Sequence, residues 1–294
     1  MAAPERLDVL KTYKLYIDGK FPRSESGRTW AVADARGRVL AHVSRASRKD
    51  LREAVEAARK AQPGWGGATA YLRGQILYRM AEMLEGKREE LAAAIAAAHG
   101  ATPKALRTAQ REVSAAIDRL VHFAGWADKF SQVLGCHNPV AGPYYNFTIA
   151  EPTGVVAVVP PDEASLLALV SLAAPALCAG NAVVALCSGA NPIPAAVLGE
   201  VCATSDLPPG VLNILTGTRD ELLKFIAEHR DVDAVHAANL TAGEAETLRL
   251  GAAENLKRVR VRAGVDWNDV GECHTPWWIE PLVEMKTIWH PSSA

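Results

Sequence analysis

The chain has 294 residues, 49% of them apolar, and a formal charge of −1. That length and composition predict a globular chain with a sizeable core, and the near-neutral charge removes the electrostatic case for nucleic acid or an anionic membrane as partner. Five scattered cysteines (Cys136, Cys178, Cys187, Cys202, Cys273) show no C-x-x-C spacing, no window has the length of a membrane span, and no apolar leader opens the sequence. Free thiols in a cytoplasmic protein are the expectation.

In chain order, residues 13–46 are polar and Gly-rich with short β-branched runs (Leu15–Ile17, Val39–Val43), which predicts hairpins. Ser47-x-x-Asp50 reads as a capping box opening a helix with Leu51, Ala54, Val55 and Ala58 on one stripe. A second helix carries Leu72, Ile76, Leu77, Met80 and Leu84 and is expected to continue through Leu91 and Ile95 to Gly100. Thr102-Pro103 opens a third, marked by Leu106, Val113, Ile117 and Leu120.

From residue 155 strands and helices alternate. Val155–Val159, Ala182–Leu186, Val211–Leu215, Ala234–Ala237 and Arg258–Arg262 read as strands, with helices near 164–179, 193–204, 219–229 and 242–254. Such alternation predicts a doubly wound parallel sheet. The expected division is 1–140 for N-terminal strands and helices, 141–153 for a first arm strand, 154–266 for a Rossmann-like core and 267–294 for a C-terminal β arm.

The motifs sit in residues 151–187, EPTGVVAVVPPDEASLLALVSLAAPALCAGNAVVALC. Glu151, Pro152 and Gly154, then Pro175, Ala176, Leu177, Gly180 and Asn181, resemble the aldehyde dehydrogenase superfamily, whose members show E-P-x-G-V, a P-W-N-F-P turn and A-P-A-L-x-x-G-N. YKLYIDGKFPRSESG, GWGGATAYLRGQILYRMAEMLE, FAGWADKF and AAENLKRV extend the resemblance over nearly all of the chain. It implies a Rossmann-like α/β fold with a small oligomerisation arm, and NAD or NADP as the cofactor of active relatives.

The functional positions depart from the family's pattern. Glu163 stands where the resemblance places an oxyanion-stabilising asparagine, and an ionised carboxylate has no proton to donate. Leu186, Cys187, Ser188 and Gly189 replace Lys-Pro-Ser-Glu, whose lysine and glutamate hold the adenosine ribose in relatives. The G-S-T-x-x-G turn under the pyrophosphate is replaced by Asn239-Leu240-Thr241-Ala242-Gly243-Glu244, better read as a capping box. Arg262 holds the place of the general-base glutamate, and a guanidinium cannot act as a base. The family's spacing from that position to its nucleophile meets no cysteine, and Cys273 in Gly-Glu-Cys-His is either a relocated Cys-His nucleophile or, as favoured, an ordinary loop cysteine. Pro161, Ser188 and Thr241 are the residual cofactor-contact candidates, and no metal site is expected.

Ile279–Trp289 resembles the closing strand of the family's oligomerisation arm, with Pro143–Ala150 as its expected partner; the intervening catalytic domain is expected to be missing between Arg262 and Trp277. Cutting after Val270 is then expected to leave a folded domain. Four of the seven tryptophans (Trp267, Trp277, Trp278, Trp289) lie beyond residue 265 and suit either an internal plug or an interface. The leading expectation is a non-catalytic subunit, inactive alone and with no cofactor, assembling through Pro143–Ala150 and Trp277–Trp289 with a full-length aldehyde dehydrogenase or with itself. The alternatives are NAD(P)-dependent aldehyde oxidation at a non-standard site, or a nucleotide-binding sensor.

Overall fold

A computed structural model describes residues 9–292. Its centre is a five-stranded parallel sheet built from β6 (Val155–Val159), β7 (Ala182–Leu186), β8 (Leu212–Leu215), β9 (Ala234–Ala238) and β10 (Arg258–Arg262), in the order β10-β9-β6-β7-β8. The chain winds outward from β6 in both directions, so the winding reverses between β6 and β9. Every residue of β6 is buried, and alternate side chains serve opposite layers: Val156 and Val158 join one core, Val155, Ala157 and Val159 the other. A strand covered on both faces needs a continuous apolar run rather than an alternating one, and VVAVV supplies it.

One layer holds α1 (Arg48–Gly66), α8 (Arg219–Glu228) and α9 (Ala242–Ala253); the other holds α2 (Ala70–Gly86), α3 (Arg88–Ala98), α4 (Pro103–Trp126), α6 (Leu167–Cys178) and α7 (Ile193–Thr204). Ser47 caps α1 with a reciprocal box to Asp50, and Thr102 caps α4 by accepting from Ala105 N at 3.1 Å. The helix expected to run unbroken from Leu72 to Gly100 is instead two, parted at Lys87: Gly86 is a poor helix former, and the Lys87 ammonium is held by Glu90 at 2.8 Å and Glu200 at 2.9 Å. Near the start, β1 (Thr12–Tyr13), β2 (Thr29–Ala33) and β3 (Val39–Ser44) form a small sheet. Leu15–Ile17 forms a tight hairpin with Lys20–Pro22, as expected, Ile17 and Lys20 exchanging backbone hydrogen bonds at 3.0 and 2.9 Å, and it also runs beside the parallel sheet, with Tyr16 bridging to Ile214 of β8.

The motif residues around 151–181 have structural duties. Gly154 has a φ of 135°, and a Cβ there would lie 2.1 Å from the Asp233 carboxylate, which accepts the Val155 amide at 2.7 Å. Asn181 is fully buried: its carbonyl accepts from Gly154 N at 2.9 Å, and its amide donates to Ala176 O and Leu282 O.

The arm is a three-stranded antiparallel sheet of β4 (Cys136–Asn138), β5 (Tyr144–Pro152) and β11 (Val283–Pro291), in the order β11-β5-β4, with Trp289 opposite Asn146 and Met285 opposite Ala150. The strand expected from Trp277 therefore begins only at Val283. Two 3-10 turns intervene, Pro276–Trp278 with Pro276 first and Glu280–Leu282 with Pro281 second, where a fixed φ and a missing N–H favour a turn over a ladder. Residues 267–282, expected as arm, contribute Trp267, Cys273, Trp278, Ile279 and Leu282 to the main core. A cut after Val270 would therefore take core side chains with it. The four late tryptophans divide: Trp267 and Trp278 are buried with ring centroids 6.1 Å apart, whereas Trp277 and Trp289 are exposed. Among the described residues no helix is long and apolar enough to cross a membrane.

Candidate functional site

In a doubly wound sheet, the carboxyl ends of the strands at the reversal of winding are the usual ligand crevice. Here that crevice lies above β6, β7 and β9. The chain leaves β6 through Pro160 and the buried Pro161, and Ala164, at a φ of 49°, turns it toward α6. Glu112 of α4 supplies the cap of α6, with Oε1 accepting from Leu166 N at 2.9 Å and, more weakly, from Leu167 N at 3.4 Å.

Asp162 reaches across to the end of β7. Its Oδ1 accepts from the Ser188 hydroxyl at 2.9 Å and from the amides of Gly189 and Ala190 at 2.9 and 3.2 Å. Its Oδ2 lies 3.3 Å from the Arg219 guanidinium, which donates to Pro160 O at 2.8 Å and stands 3.8 Å from Glu244. Burial by itself would raise the Asp162 carboxyl, but Arg219, the Ser188 hydroxyl and the two amides together hold it below its ordinary value. Beyond β9, Thr241 caps α9, and the Glu244 carboxylate turns back to accept the Thr241 amide at 2.8 Å. The helix N-terminus that could receive a phosphate is thus faced by the protein's own carboxylate, and Asp162, Arg219 and Glu244 bridge the crevice.

This lining does not fit a dinucleotide. Of the two positions that carry the ribose-binding side chains in the resemblance, Leu186 is a buried apolar residue and Gly189 offers only its amide, already given to Asp162. Ser188 is buried with its hydroxyl committed to Asp162, Pro161 is buried, and the Thr241 hydroxyl is committed to Glu244. Among the described residues no group of His, Cys, Asp and Glu could hold a metal ion.

Glu163 is exposed and accepts from the Asn239 side chain, whose own carbonyl accepts from Gly264 N at 3.0 Å. Arg262, at the end of β10, donates from Nε to His236 Nε2 at 2.9 Å and lies 3.8 Å above the Trp278 ring. Burial, then the neighbouring Arg260, brings the guanidinium down to about 10. It remains a cation at neutral pH. His236 is fully buried, with Nδ1 3.0 Å from Leu172 O; burial, then Arg262, pushes it down to about 3. It is therefore neutral, donating from Nδ1 to Leu172 and accepting from Arg262 at Nε2.

Cys273 and His274 face different partners. The thiol is buried, lies beside Arg119 and donates to Asp266 O at 3.5 Å; burial raises its pKa. The His274 ring stacks on His122 with centroids 4.4 Å apart. A relocated dyad would need the imidazole at the sulfur.

No sequence motif marks Asp162, Arg219, Glu112 or His236 as part of a site. Asp162 sits in the altered turn, where its position in the sequence signals it; the other three belong to no motif and reach the site only through the packing of α8, α4 and β9.

The sequence profile of the "Aldehyde dehydrogenase family" matches residues 21–266. The mitochondrial aldehyde dehydrogenase family 2 member B4 of Arabidopsis thaliana is 35% identical over 254 residues, covering 85% of this chain and 46% of that protein. Retinal dehydrogenase 2 of Mus musculus is 33% identical, covering 87% and 49%. The NAD+ complex structure of aldehyde dehydrogenase from Bacillus cereus superposes with a TM-score of 0.80 at 28% identity, covering 86% of this chain and 51% of that one. The chain spans about half the length of the relatives it matches. With its doubly wound sheet, its switch-point crevice and a profile match over most of its residues, this chain belongs to the aldehyde dehydrogenase family.

Proposed function

We propose that this chain is a non-catalytic member of its family, a structural or regulatory subunit that assembles through its β arm with a full-length aldehyde dehydrogenase or with a second copy of itself. The observation that carries this reading is the bridging of the crevice by Asp162, Arg219 and Glu244, which fills with internal ion pairs the space a cofactor pyrophosphate would need. Arg262 adds support: a guanidinium bound to His236 and stacked on Trp278 cannot activate water. The arm supports the assembly half of the proposal. Among the described residues its sheet has three strands, β11 lies on an edge, and Met285, Ile288, Trp289, Tyr144 and Tyr145 are exposed on it. Small sheets with open edges and exposed aromatics gain stability by pairing with further strands.

Two measurements test the proposal. The purified chain with NAD or NADP and a panel of aldehydes should give no reduced cofactor above a protein-free control; turnover abolished by Cys273→Ala would restore the enzyme reading. A chain ending after Glu284 keeps the core plug and loses most of β11, so it should stay folded and lose its oligomeric mass in light scattering, alone or mixed with an active family member. An unchanged mass would remove the arm as the interface.

A further inference from the structure

Glu163 also borders a second feature. A cavity of about 610 Å³ opens between α3, α4 and the 160–166 turn, within the size range of small-molecule sites. Ile95, Ala98 and Leu167 give it apolar walls, and Glu112, Glu163 and Asn191 give it polar ones. Asn191 is 6% exposed. Its amide nitrogen reaches Ala94 O at 3.5 Å, which orients the side chain, and its Oδ1 has no hydrogen-bond partner among the described residues. Glu112 spends Oε1 on the cap of α6, its Oε2 has no hydrogen-bond partner among the described residues, and the one charge acting on it is that of the exposed His99 in the same lining. Glu163 likewise engages Asn239 through one oxygen only. Of the remaining charged residues in the lining, Asp162 is already paired with Arg219, and Arg111 and His99 are exposed.

Two carboxylates and an orphaned amide carbonyl make a wall of acceptors lacking a donor. A buried acceptor is ordinarily satisfied, and Asn191 Oδ1 is not; beside it stand the half-buried Glu112 and exposed Glu163 carboxylates, each with one oxygen free of protein donors. An alkyl chain suits the apolar walls, and an ammonium head, with three donors and a positive charge, suits the acceptors. We propose that this cavity binds a small molecule carrying a protonated primary amine on a short alkyl chain, held by Glu112, Glu163 and Asn191 Oδ1.

The test is calorimetric titration of the full chain with 1,4-diaminobutane and, as its neutral counterpart, 1,4-butanediol. The diamine should bind at least tenfold more tightly than the diol. Glu112→Gln keeps a carbonyl to cap α6 and should weaken diamine binding tenfold or more; Glu163→Gln, on an exposed residue that folding does not depend on, should weaken it by a similar factor. The proposal is overturned if the diamine fails to bind, if it binds no better than the diol, or if the folded Glu163→Gln protein binds it as well as the parent does.

Discussion

Replacing Trp278 with alanine tests whether residues 267–282 are a packed part of the core. The indole is 2% exposed, lies 6.1 Å from the Trp267 ring and 5.7 Å from His236, carries the Arg262 guanidinium on its face at 3.8 Å, and donates from Nε1 to Glu272 O at 2.9 Å. Truncating a buried tryptophan to alanine costs roughly 3–5 kcal/mol from lost transfer energy and the cavity left behind. Arg262 also loses a cation–π partner worth about 1–2 kcal/mol in a partly desolvated setting. These contributions overlap, so the expected loss is about 4–5 kcal/mol. With an unfolding entropy of about 2.1 cal/mol/K per residue over 294 residues, the melting temperature should fall by roughly 6–8 °C. Trp277→Ala is the control one position away: that side chain is 60% exposed, and its loss should stay within about 0.5 kcal/mol, a shift below about 1 °C. Paired calorimetric scans at one protein concentration give the answer. Equal shifts for the two variants would refute the plug.

The pH dependence of stability should carry the mark of His236. Its folded pKa, about 3, lies below the ordinary value near 6.5, so between these values the unfolded chain binds the extra proton; stability is complete above about pH 6.5 and falls by up to about 1.4 kcal/mol per pH unit on acidification. His122, brought down to about 4 by burial and by His274, acts in the same direction. Denaturation midpoints from pH 7.5 to 4.5 should show a shallower slope for His236→Gln than for the parent, and parallel slopes would contradict the assignment. Gly251 of α9 faces Ala227 so closely that a Cβ would lie 2.5 Å from that methyl, so Gly251→Ala should destabilise by roughly 1–3 kcal/mol in urea unfolding. Gly243 on the same helix has open space around it, and Gly243→Ala should stabilise by about 0.5–1 kcal/mol; the same sign for both changes would undo the packing argument.

The sequence alone determined the parts of this protein that repeat along the chain or depend on near neighbours. The continuous run Val155–Val159 marked a strand covered on both faces; Ser47-x-x-Asp50 and Thr241-x-x-Glu244 marked helix starts because a capping box closes within four residues. The family frame was legible for the same reason, since Gly154 and Asn181 hold backbone that only those residues satisfy. Breaks within a pattern were less legible: the apolar stripe through Leu84 and Leu91 continues across Lys87 although the helix does not, because both side chains enter one core from two helices. Only the tertiary structure decided the functional region. Arg219 meets Asp162 across 57 residues and Glu244 across 25, and Arg262 meets His236 and Trp278 from three separate segments. The tryptophans show why. Trp277 and Trp278 are adjacent and chemically identical, yet one is exposed and the other buried, because a 3-10 turn headed by Pro276 sends successive side chains in different directions and only one meets the core.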